Sequence, residues 1–166
     1  HGGYLNAAKG LAREALRDFT GASAKSYFTG LEGEKLFEIA REAIENNFVL
    51  TAGTGSGRQG ADQVDEEIGL VGGHAYAVLD VVVIGGTTGN EKRIVGNSNG
   101  QTMSEGGVVN YSPYVDSNSS SNLRLLCLRN PWGRVEWVGP WSRNSNLWTP
   151  SLRKILRPES LSPGAF

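Results

Sequence analysis

Gly72–Ile84 reads GGHAYAVLDVVVI, and Leu123–Trp137 reads LRLLCLRNPWGRVEW. From His74 to Ile84 the run is apolar at successive positions, which predicts a strand covered on both faces, as in a β sandwich or barrel. Leu123–Arg129 predicts a second strand, in which Leu123, Leu125 and Cys127 alternate onto one inward face and Asn130-Pro131 ends the pairing. Working outward, Phe48–Thr51 reads as a short strand. Lys92–Val95 and Val108–Tyr111 read as two strands of a hairpin, and Val135–Trp137 and the Trp141 region as short strands or turns. Gly53–Glu67 is too poor in apolar residues to form a core element and is expected to be a mobile loop. It lacks the glycine and lysine pattern of a phosphate cradle. The Ser117–Asn122 run, SNSSSN, reads as a flexible loop inside a long polar stretch at 85–122.

Upstream the pattern changes to a helical period. Leu11–Phe19 puts Leu11, Ala12, Ala15, Leu16 and Phe19 on one face, with Thr20-Gly21 as the stop. Glu34–Asn47 does the same with Leu36, Phe37, Ile39, Ala40, Ala43 and Ile44, and places its charges opposite. Helices in front of an antiparallel sheet give an α+β fold.

The 166 residues suit one domain, and 39% apolar content supplies a core. Sixteen basic against seventeen acidic residues leave a net charge of −1, which argues against nucleic acid as a partner. No apolar run is long enough for a membrane span. One cysteine and two histidines rule out an internal disulfide and an ordinary zinc site. A soluble protein of a reducing compartment, the cytoplasm, is the expectation.

Chemistry concentrates in the two opening stretches. A histidine at the start of a strand is often structural, and an asparagine before proline often forms a turn. Taken together they suggest more. An imidazole working as a general base needs one nitrogen toward the nucleophile and the other held by an acceptor. The Asn130 side-chain oxygen is such an acceptor without added charge, and a neighbouring indole such as Trp132 can shield the bond from water. His74 and Asn130 at the ends of neighbouring strands would give the Cys-His-Asn logic of papain-like proteases. Cys127, three residues before Asn130 on the same strand, points to the opposite face and reads as a small core residue.

GGHAYAVLDV and LRNPWGRVEWVGPWS resemble the histidine and asparagine motifs of the calpain family of cysteine proteases, and EALRDFTGA at 14–22 resembles that family's E-x-F-x-D-F-T-G segment. The resemblance implies that residues 1–166 are the second, His- and Asn-bearing subdomain of a calpain-like core: a papain-like C-terminal half, with 85–122 as a family-atypical insertion. It implies His74 as base, Asn130 as orienter and Trp132 as the tryptophan beside them, wedged between two subdomains. The family's nucleophile lies in a Q-G-x-x-G-D-C-W segment that this chain lacks. The chain alone is therefore expected to be inactive, a piece of a longer protein whose first protease-core subdomain completes a cleft for a polypeptide substrate. Gly72 and Gly73 would let the substrate backbone approach, or would only make a turn. Asn130→Ala is expected to lower activity and leave the fold nearly intact.

Calcium is the family's usual activator. The resemblance places one calcium ligand at Glu136, but the W-S-D aspartate of the family falls on Arg143, and its D-G-E-F ligands fall on Pro163, Gly164, Ala165 and Phe166. Calcium takes six to eight oxygens, several from carboxylates, so the ligand set is incomplete and Glu136 is expected to be a hydrogen-bonded carboxylate. Incomplete ligands and the long insertion also leave open a different class of function, a non-catalytic calpain-like binding or regulatory module.

Overall fold

Amphipathic periodicity reports an apolar stripe without naming what covers it, and the two helices show both outcomes. In the computed structural model, which describes residues 10–28, 30, 33–55, 61–84, 94–95, 101–104, 107–110 and 123–166, helix α1 spans Ala12–Thr20 and α2 spans Gly33–Glu45. Gly21 takes φ 69° and closes α1 by donating its N–H to Arg17, the stop expected from Thr20-Gly21. No residue of α1 is buried, and Phe19 is 90% exposed. The predicted stripe of α2 is half-buried along its length, and the Arg124 guanidinium lies 5.5 Å from the Phe37 ring centre. The chain divides into two compact units, His1–Leu36 and Phe37–Phe166, and the strands all belong to the second.

Among the described residues eight strands follow: β1 Thr51–Gly53, β2 Val64–Asp65, β3 Leu70–Val71, β4 Ala75–Ile84, β5 Ile94–Val95, β6 Gln101–Ser104, β7 Gly107–Asn110 and β8 Leu123–Arg129. All pairings are antiparallel. β4 is the spine. Ala77 pairs with both Thr51 and Arg129, and Val83 with both Val95 and Arg124. β8 therefore runs along one edge of β4, while β1 and β5 share the other. Beyond β8, Leu128 exchanges backbone bonds with Phe166, and Arg129 bridges Ala165.

The described strands do not close into a barrel, which corrects that part of the expectation. β1 and β5 are too short to carry the sheet onward from β4, and β2–β3 and β6–β7 form separate two-stranded ribbons. Three further corrections follow. The expected strand at Phe48–Thr51 begins only at Thr51, because Asn47 turns left-handed at φ 57° and Phe48 still donates to Ala43 at the helix exit. Gly53–Glu67 is not wholly loop, since β2 falls in it. The Ile94–Val95 and Gly107–Asn110 strands pair with β4 and β6, not with each other. Of the two readings left open downstream, strand or turn, the Trp141 region is a turn, and Val135–Trp137 forms neither a strand nor a turn. The expected Ser117–Asn122 loop lies outside the described residues.

The β4–β8 register carries a bulge. Val78 pairs with Leu128 and Asp80 with Cys127, so Leu79 has no partner. Because Leu128 and Cys127 are adjacent and point to opposite faces, Tyr76 and Val78 face one side of the sheet and Asp80, Val82 and Ile84 the other. On that second face Val82 and Ile84 meet Leu152, with Leu123, Leu125, Trp141, Trp148, Ile155 and Leu156 around them. Leu152 comes from α3, Pro150–Leu156, whose N-terminus is capped by Thr149. The Thr149-Pro150 signal for this helix is present in the sequence. Ile84→Ala should cost about 2–4 kcal/mol in urea unfolding, whereas Leu79→Ala, in the exposed bulge, should cost under about 1 kcal/mol; equal losses would contradict this core assignment.

Candidate active site

Asn130 follows β8 by one residue and His74 precedes β4 by one. Continuing the local register sets Asn130 opposite Tyr76 and makes His74 its diagonal neighbour on the same face, within reach of a long side chain. The contact is direct. His74 Nε2 lies 2.9 Å from Asn130 Oδ1, across 56 positions of sequence.

The rest of the Asn130 amide settles which atoms face the ring. Nδ2 donates to the carbonyls of Arg134 at 2.7 Å and Val135 at 3.1 Å. Oδ1 also accepts from the Trp132 N–H at 3.0 Å. A flipped amide would set its oxygen against two carbonyls, so Oδ1 must be the atom toward His74. Nε2 then carries the hydrogen, and in the neutral ring Nδ1 holds the free lone pair. Asn130 is fully buried and is the only polar residue so buried among the described residues. Its backbone is engaged as well: its N–H donates to Gly164 at 2.8 Å and its carbonyl accepts from Gly133 at 3.0 Å.

The local chain is shaped to make this possible. Val135 sits at φ 59°, a costly conformation for a β-branched residue, and its carbonyl is one of the two that meet Nδ2. Gly164, at φ +80°, passes so close that a Cβ would lie 2.6 Å from the Asn130 carbonyl oxygen. Only glycine fits there.

Three aromatic or hydroxyl side chains frame His74. The Trp132 ring centre is 4.6 Å away, tilted by 58°, and the indole keeps 42% exposure. Tyr76 meets the imidazole edge-on at 5.1 Å. Its hydroxyl accepts from the Val71 N–H at 2.8 Å. Thr54 ties down the backbone: His74 N–H donates to Thr54 Oγ1 at 3.0 Å, and Thr54 N–H donates to the His74 carbonyl at 2.9 Å. Sequence reading missed Tyr76 and Thr54. The period-two alternation from His74 could have found Tyr76; Thr54 lies in the stretch expected to be mobile, and nothing local marks it.

The remaining residues singled out are placed as follows. Gly73 is exposed at φ 61° and donates to the Gly55 carbonyl at 2.7 Å, while both backbone groups of Gly72 are taken by Asp62 and Gln63. The pair thus makes a turn that delivers His74. Cys127 shares the opposite face of the sheet from Asn130. Burial, reinforced by the Asp80 carboxylate and opposed by Arg143, pushes its thiol up to about 11, so little thiolate exists at neutral pH. Glu136 does not present open oxygens to a metal. Oε2 accepts from Arg143 Nε at 3.1 Å and Oε1 from Arg143 Nη2 at 3.0 Å and the Gly164 N–H at 3.1 Å. The Arg143 hydrogen bonds, outweighing partial burial, hold its carboxyl below the usual range. The described residues around Glu136 do not fit calcium.

Two outcomes are expected. Asn130→Ala should destabilise the fold by about 2–4 kcal/mol in urea unfolding, since truncation orphans several buried groups. This replaces the expectation of a nearly intact fold; losses below about 0.5 kcal/mol would contradict it. Alkylation of Cys127, followed on its own peptide by mass spectrometry, should keep accelerating toward pH of about 11; a plateau near ~8.5, as for a free thiol, would show that the burial is not felt.

A family model described as calpain family cysteine protease matches residues 1–166. The chain is similar to mouse Calpain-9, with 30% identity over 148 residues, covering 89% of this chain and 17% of that protein. It is similar to mouse Calpain-12 at 33% identity over 148 residues, covering 89% and 16%. Against the rat Calpain-1 catalytic subunit, identity is 31% over 164 residues, covering 95% and 18%. The chain thus spans under a fifth of the length of these curated relatives.

Proposed function

Because the chain belongs to the calpain family of cysteine proteases, we propose that it supplies the general-base and orienting side of a papain-like thiol endopeptidase site. In this reading residues 1–166 are the second protease-core subdomain, inactive alone, and the first subdomain of the same cytoplasmic protein brings the cysteine. The observation that supports it best is the saturated amide of Asn130, which fixes His74 Nε2 as a donor and leaves Nδ1 as the base.

The chemistry follows from that assignment. Nδ1 takes the proton of the incoming thiol as sulfur bonds to the peptide carbonyl carbon. The imidazolium returns that proton to the leaving amine as the C–N bond breaks, leaving an acyl thioester. Nδ1 then takes a proton from water as the oxygen attacks the thioester, and the thiol is released protonated. A neutral amide partner steadies the ring through both charge states without making it a stronger base, as a carboxylate would. Trp132 covers one face of the imidazole and limits water around the Nε2–Oδ1 bond. Gly72 and Gly73 offer a surface without side chains beside His74, where an extended polypeptide substrate can lie.

One observation favours the alternative, a non-catalytic regulatory module. Arg143 occupies both carboxylate oxygens of Glu136, so the family's usual activating ion has lost its ligand here. Treating the full-length protein with a thiol-directed epoxide and mapping the adduct separates the two. Labelling of a cysteine outside this chain, abolished by His74→Ala, is the expected result. A folded protein that takes no label with or without calcium would leave the regulatory module.

A further inference from the structure

The Arg143 side chain is held more completely than a surface ion pair requires. A guanidinium has five N–H groups, and each has an oxygen. Nε and one Nη2 hydrogen go to Glu136 Oε2 and Oε1. The second Nη2 hydrogen reaches the Ala165 carbonyl at 2.9 Å, and Nη1 reaches the carbonyls of Pro158 at 2.8 Å and Leu161 at 3.3 Å. One carboxylate and three carbonyls, gathered from Glu136 and the 158–165 segment around a single positive charge, resemble the oxygen set that a hard cation gathers. The charge is the difference. One carboxylate neutralises a guanidinium but leaves a divalent ion half-compensated. By contrast, Arg41 in α2 makes the ordinary surface arrangement, bonding only the side chains of Glu38 and Glu45 on its own helix.

We propose that Arg143 is a built-in cation that replaces a bound divalent ion in this half of the protein and clamps residues 158–165 onto Glu136 without metal. The clamp reaches Asn130 in two bonds. Glu136 Oε1 accepts from the Gly164 N–H, and the Gly164 carbonyl accepts from the Asn130 N–H. Arg143 is thus a positioning residue for Asn130. The consequence for His74 rests on the functional reading above; the clamp itself does not.

The test uses calcium as the probe, in the full-length protein, with wild type, Glu136→Gln, Arg143→Asp and the double variant. Calorimetric stoichiometry and melting temperature are measured in chelator and in calcium. Glu136→Gln should bind as many calcium ions as wild type and lose stability equally in both conditions. Arg143→Asp sets a second carboxylate among the same oxygens. It should melt about 5 °C lower in chelator, bind one calcium more than wild type, and recover the loss when calcium is added. The double variant should lose the extra ion. The proposal is overturned if Glu136→Gln alone binds one ion fewer than wild type, because Glu136 would then be a metal ligand. It is also overturned if Arg143→Asp melts like wild type in chelator, or melts lower and gains no ion. Should Arg143→Asp fail to fold, the Glu136→Gln stoichiometry still decides. None of these readouts depends on protease activity, so failure of the clamp and failure of the functional reading are distinguishable.

Discussion

The pairing of β4 with β8 is the constraint on which the rest of the second unit depends. It brings His74 and Asn130 together across 56 positions of sequence, and its register makes them diagonal neighbours on one face. The single unpartnered residue, Leu79, has a wider effect than its size suggests. By shifting the pairing by one position, it sends Tyr76 and Val78 to the side of the histidine and Val82 and Ile84 to the hydrophobic cluster around Leu152. One ten-residue strand thereby serves a polar site at one end and a dry core at the other.

The polar end is organised around complete satisfaction. A buried amide is costly when any of its hydrogen-bonding positions is empty and rigidifying when all are filled. Asn130 fills all four, with the Arg134 and Val135 carbonyls, the Trp132 N–H and His74. The unusual backbone nearby is understandable in those terms. Val135 tolerates a left-handed conformation because its carbonyl is needed where it stands, and Gly164 is glycine because the Asn130 carbonyl leaves no room for a Cβ. The tautomer of His74 follows from the donors and acceptors around the amide, and with it the nitrogen left for chemistry.

Glu136 and Arg143 form a second polar centre, built on a charge pair rather than on a neutral amide. The glutamate, expected from the resemblance at a ligand position, is satisfied by a guanidinium with five oxygen partners. Neutral pairing of one carboxylate with one guanidinium suits this oxygen set better than a divalent ion would. The C-terminal segment still docks against Asn130, through bonds carried by the protein's own side chains.

The α+β class, the two long strands, the helix periods, and His74, Asn130 and Trp132 as the residues to watch were all legible in the amino-acid order. Strand alternation, helical spacing and the Asn-Pro stop are local properties, and local patterns suffice to read them. That order also anticipated that Cys127 would lie away from Asn130, because three positions along a strand reverse the side chain. It took the folded structure to establish that the described strands leave the sheet open, that Leu79 is a bulge, that Tyr76 and Thr54 support His74, and that Arg143 sits among five oxygens. Each of those depends on segments far apart in the chain meeting at hydrogen-bond distance. No period or composition encodes such a meeting, and the geometry exists only once β4 has chosen its partners.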